Sequence, residues 1–99
     1  MKVLSVKPRE DCFDGSIMKE VLFDRPVTRE FILFWSQKGD LSYFPSFARP
    51  FFKVEVKGHY FLKGIENNRS ISLTLYKRNP EESLEVFLNH INAYAKAKL

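Results

Sequence analysis

Phe51-Phe52-Lys53-Val54-Glu55-Val56-Lys57-Gly58-His59-Tyr60 opens the stretch that decides the fold, and that stretch runs on to Leu99. Phe52, Val54 and Val56 alternate with Lys53, Glu55 and Lys57, the period-2 pattern of a half-buried strand. Lys57-Gly58-His59 supplies a turn in which Gly58 is free to take a positive φ. Tyr60 to Ile65 reads as the returning strand, and Glu66-Asn67-Asn68-Arg69 as a second turn, since Asn tolerates left-handed geometry. Ile71, Leu73 and Leu75 then alternate with Ser70, Ser72, Thr74 and Tyr76 in a third strand. The three strands form a meander.

A helix follows. Asn79 stands at the N-cap position, Pro80 at the first helical position and Glu82 three residues after the cap, the arrangement of a capping box. Leu84, Phe87, Leu88, Ile91, Tyr94 and Ala95 recur at helical spacing on one face. Glu81, Glu82 and Glu85 lie near the positive end of the helix dipole, and Lys96 and Lys98 near the negative end. The apolar stripe needs a partner, and the Val54/Leu73 face of the meander supplies one.

The first half is read outward from this frame. Lys2 to Lys7 fits a short strand ended by Pro8. Arg9 to Gly15 is polar and turn-like. Ser16 to Phe23 fits either a strand or two helical turns, and the strand is favoured because Asp24-Arg25-Pro26 closes it quickly. Phe31-Ile32-Leu33-Phe34-Trp35 reads as a strand from its β-favouring residues. Ser36 to Asp40 reads as a hairpin turn into a strand over Leu41–Phe44, and Pro45 and Pro50 bracket a loop through Phe47 and Arg49.

The expected fold class is therefore α+β: a mainly antiparallel sheet or roll of five to seven strands with one C-terminal helix packed on it. Ninety-nine residues make a single domain, 1–99, with room for one core. Ten phenylalanines are many for this length. With the Phe31–Trp35 run taken as a strand, both faces of the sheet are apolar there. Such a sheet must close on itself or oligomerise.

In element order the chain resembles the pleckstrin-homology type of roll, in which a last helix caps one end of a strongly bent sheet. It is also similar in outline to small nucleic-acid modules of four strands and a helix. The likeness is one of layout over the whole chain. No ligand residue is carried over from it, and a shared layout does not imply a shared function.

Compartment and chemistry are read from what the residues offer. Lys2, Ser5, Lys7 and Pro8 interrupt any signal-peptide core, and no apolar run approaches the roughly 20 residues of a membrane-spanning helix. Cys12 has no cysteine to pair with, so the expected compartment is cytoplasmic. His59 and His90 are expected to be solvated, His59 beside a turn glycine and His90 off the helical stripe. Neither they nor Cys12 have metal-ligand spacing, and no glycine-rich phosphate loop is present. No cofactor, metal or catalytic residue is expected.

The charge is more informative. The chain carries a net +4, and the span from Phe51 to Arg78 holds six bases (Lys53, Lys57, Lys63, Arg69, Lys77, Arg78) against Glu55 and Glu66. That local excess equals the net charge of the whole chain. If Val54, Leu62 and Leu73 face the helix, the opposite face carries Phe51, Lys53, Lys57, Phe61, Lys63 and Tyr76. Rings interleaved with lysines suit single-stranded nucleic acid, because rings stack on bases while ammonium groups hold phosphates. The same pattern also serves as a solvated face that discourages edge pairing.

The expected function is a non-enzymatic module for an anionic partner, single-stranded nucleic acid ahead of a lipid headgroup. Lys53, Lys57, Phe61, Lys63 and Tyr76 are its binding residues. The alternative is a homo-oligomeric or protein-interaction subunit that uses the aromatic face as an interface. A small enzyme ranks third.

Overall fold

The computed structural model describes residues 2–8, 17–76 and 78–97. Strands β1 (Val3–Pro8) and β2 (Ile17–Phe23) precede a short helix α1 (Arg29–Phe34), which continues into a 3-10 turn over Trp35–Gln37. Strands β3 (Asp40–Phe44), β4 (Phe51–Val56), β5 (Tyr60–Ile65) and β6 (Ser70–Leu75) follow, then helix α2 (Pro80–Ala97). The six strands form one antiparallel sheet in the order β1-β2-β6-β5-β4-β3. The segment between β2 and β3 therefore carries the chain to the far edge, and the meander returns to lay β6 beside β2.

The meander has the expected register. Val54 stands opposite Leu62 and Leu62 opposite Leu73, and all three are fully buried. Gly58 in the β4–β5 turn has a φ of 82° and Asn67 in the β5–β6 turn a φ of 75°, the left-handed geometry such turns require. Ile17–Phe23 is a strand, which settles the open choice for that segment. The turn-like reading of Arg9 to Gly15 lies outside the described residues, as do Ser16, Cys12, Lys77 and Lys98.

The Phe31–Trp35 run corrects the sequence reading: it is helical. Thr28 caps it, its Oγ1 accepting from the Phe31 N–H at 3.1 Å. Val27, Phe31 and Trp35, four residues apart, are all fully buried, and Ile32 beside them is buried too. Leu33 alone of the run is turned to solvent, at 45% exposure. Among the described residues the strands thus number six, within the five to seven expected, and the run supplies no strand that is apolar on both faces. It packs into the core that the sheet shares with α2 instead.

Both helices lie on the same face of the sheet and share one core. Trp35 stacks on Phe87 of α2 at 6.1 Å with the ring planes 2° apart, while Phe31 meets Tyr94 edge-on at 5.1 Å. Edge-on and stacked ring pairs of this kind add about 0.5–1.5 kcal/mol each beyond the area they bury. On α2, Phe87, Ile91 and Tyr94 are buried, and Leu84 and Leu88 pack against the same core half-buried. Asn79 and Glu82 meet side chain to side chain, Asn79 Nδ2 donating to Glu82 Oε2 at 3.1 Å, while the Asn79 carbonyl accepts from the Ser83 N–H. Among the described residues no helix is long and apolar enough to cross a membrane.

Candidate nucleic-acid interface

Because α1 and α2 occupy one face, the other face of the sheet is covered by no helix among the described residues. Strand alternation and register arrange it in rows that run across the strands. One row reads Ser42, Lys53, Lys63, Ser72, Glu20, Lys7 from the β3 edge to the β1 edge. The next reads Asp40, Glu55, Phe61, Thr74, Met18. On the other side of the lysine row stand Phe44, Phe51 and Ile65.

Three of the five expected binding residues, Lys53, Phe61 and Lys63, therefore share this face. Lys53 and Lys63 are directly opposite each other and exposed, and neither ammonium forms an ion pair among the described residues. Tyr76 lies just past β6, its N–H donating to the His59 carbonyl at 3.2 Å and its hydroxyl to Glu55 Oε2 at 3.4 Å. Lys57 is exposed at the turn that ends β4. The face is more mixed than the sequence suggested, because Asp40, Glu55 and Glu20 stand among the lysines.

The sequence reading named Phe51 on this face but missed its partners. Phe44 and Phe51 stack at 4.6 Å, and Phe47 from the β3–β4 loop stacks on Phe44 at 5.6 Å and leans on Phe51 at 5.3 Å. Phe47 is 53% exposed. Three rings are thus gathered at the end of β4 that begins with Phe51, two residues from Lys53. The signal was present in β3, where Leu41 and Tyr43 alternate with Ser42 and Phe44, but the pairing of Phe44 with Phe51 depends on the β3–β4 register. Beside Lys63 a shallow recess is lined by Glu20, Asn68, Ser70 and Ser72.

The histidines differ from expectation. His90 is half-buried: its Nδ1 lies 2.6 Å from the Tyr60 hydroxyl, and its ring packs edge-on against Trp35 at 5.8 Å. The position flanks the helical stripe and turns inward, toward Tyr60 and Trp35. Burial pushes the His90 pKa below its ordinary value, with Lys38 and His59 adding repulsion. His59 is half-buried, and its Nδ1 has no hydrogen-bond partner among the described residues. Among the described residues no three His, Cys, Asp or Glu side chains come together as a metal-holding group.

Comparison of the chain with models of protein families, with curated proteins and with solved structures finds no match.

Proposed function

We propose that the chain is a non-enzymatic, cytoplasmic binding module whose open sheet face holds single-stranded nucleic acid. The observation that carries this reading is the exposed Lys53–Lys63 couple, without an ion pair among the described residues, beside the Phe44/Phe47/Phe51 stack. Like charges directly opposite on a sheet destabilise it, and a phosphate seated between the two ammonium groups removes that repulsion. Residues two apart along a strand are about 7 Å apart, so a strand whose phosphates lie on the lysine row has its bases within reach of the phenyl rings. Phe61, on the other side of the lysine row, offers a second ring. Glu20 and Glu55 repel phosphate and bound the track on two sides.

The test is a titration of labelled oligothymidylate and oligouridylate into the protein over a series of salt concentrations. Binding should weaken as salt rises, and removing one phosphate contact should shallow the logarithmic slope by about 0.7. Phe47→Ala should cost about 1–3 kcal/mol of affinity and leave that slope unchanged. Failure of the wild-type protein to bind either oligonucleotide at low salt overturns the reading.

A second reading is favoured by the apolar end of the same face, where Phe44, Phe47, Phe51 and Ile65 are joined by Leu22, an exposed large hydrophobic on β2. In that reading two copies associate through this end. Sedimentation then shows a dimer that Phe47→Asp dissociates, with oligonucleotide binding absent throughout.

A further inference from the structure

Helix α2 packs on the sheet through Phe87, Ile91 and Tyr94, and a polar contact is set into this aromatic core. Tyr60 is fully buried on β5, and its hydroxyl has His90 Nδ1 for a partner at 2.6 Å. With Nδ1 protonated, the buried hydroxyl proton would have no acceptor among the described residues. The Tyr60 hydroxyl is therefore the donor, neutral His90 the acceptor, and the imidazole proton sits on Nε2. The His90 ring also touches Trp35, which stacks on Phe87 one helical turn earlier in α2.

We propose that the Tyr60–His90 contact is an acid-operated latch: it fastens α2 to the sheet while His90 is neutral and loosens when His90 takes up a proton. A protonated Nδ1 carries a hydrogen where the Tyr60 hydroxyl proton now points, so the buried hydroxyl must turn away from this acceptor. Leaving a buried donor unsatisfied is costly. The groups facing His90 do nothing to welcome the charge. From β5 it meets Tyr60, from the turn after α1 it meets Trp35 and Lys38, and from the β4–β5 turn His59. Burial, then Lys38 and His59, push the His90 pKa down, which is the direction a latch of this kind requires. Each pH unit by which His90 titrates below its ordinary value is about a tenfold preference of the docked helix for the neutral ring.

Trp35 is the single tryptophan of the chain and reports on the latch directly. Its emission should change as pH falls from neutral, with a midpoint below 6.5. Amide exchange measured at two pH values and corrected for intrinsic rate should quicken in α2 around Phe87–Tyr94 and hold steady in β4–β6. In His90→Gln the emission change should vanish. Should that variant fail to fold, the His90 ring resonances of the wild-type protein decide by themselves. A midpoint at or above 6.5 overturns the proposal, as does corrected exchange in α2 that is unchanged on acidification, or an emission change that survives in folded His90→Gln.

Discussion

Lys53 on β4 and Lys63 on β5 stand directly opposite each other on the face that neither helix covers. Directly opposed like charges cost a sheet roughly 0.2–1 kcal/mol, so the free protein should gain by converting the couple to an opposite pair. Lys63→Glu is expected to raise the unfolding free energy by an amount in that range, read as a higher urea midpoint at an unchanged m-value, and to weaken oligonucleotide binding in the same preparation. Stability and affinity moving in opposite directions would mark the couple as kept for a ligand. A variant less stable than wild type would show that Lys63 supports the sheet through its own packing.

Phe87 carries the second expectation. Its ring is fully buried, stacked on Trp35 and edge-on to Tyr60 at 5.5 Å. Phe87→Ala removes a ring from the centre of the core and should cost about 3–5 kcal/mol, read by denaturant titration. Emission from Trp35 should shift to the red as the stacking partner is lost.

The parts of the molecule that were legible in the sequence are those whose pattern is local. Alternation from Phe52 to Leu75, Gly58 and Asn67 in their turns and the Asn79-Pro80 start of α2 each have a short-range cause. Helix α1 has a weaker one. Its aromatic and β-branched residues favour a strand, and six residues are too few to be helical on propensity alone. Packing decides instead, through Val27, Phe31 and Trp35 at helical spacing, with Thr28 as the cap. The same limit explains the site. Lys53, Phe61 and Lys63 follow from strand parity, whereas Phe44 and Phe47 join Phe51 only through a pairing register and a loop. Nothing in the sequence places Tyr60 against His90, since the two are thirty residues apart and meet across the sheet–helix boundary.

Two glycines should fail for different reasons. A Cβ on Gly39 would sit 2.4 Å from the Glu55 carbonyl oxygen, which is backbone of the neighbouring strand and cannot move aside. Gly39→Ala should cost at least the roughly 1–3 kcal/mol of an overpacked core. Gly58 has open space around it but a φ of +82°, so Gly58→Ala should lose about 1–2 kcal/mol to backbone strain alone. Asn accepts the left-handed region, and Gly58→Asn should therefore melt close to wild type while Gly39→Asn does not. Equal losses from the two Asn variants would contradict this account.

The Tyr60–His90 pair should also set the pH range over which the whole protein is most stable. Burial lowers the His90 pKa from 6.5 and raises that of Tyr60 from 10.0. For His90 the unfolded chain takes up its proton first as pH falls. Its contribution is complete above about pH 6.5 and is lost as pH drops from there through the folded value. For Tyr60 the unfolded chain gives up its proton first as pH rises, so that contribution is complete below about pH 10 and is lost as pH climbs beyond it. Denaturant midpoints should hold level between these limits and fall on both sides. Tyr60→Phe removes the ionisable hydroxyl and the contact it makes with His90, so the alkaline limb of the variant should flatten and its acid limb should shrink to the part that the burial of His90 sets. If the Tyr60→Phe protein keeps the full alkaline fall, another group carries it and the burial of Tyr60 is not the cause.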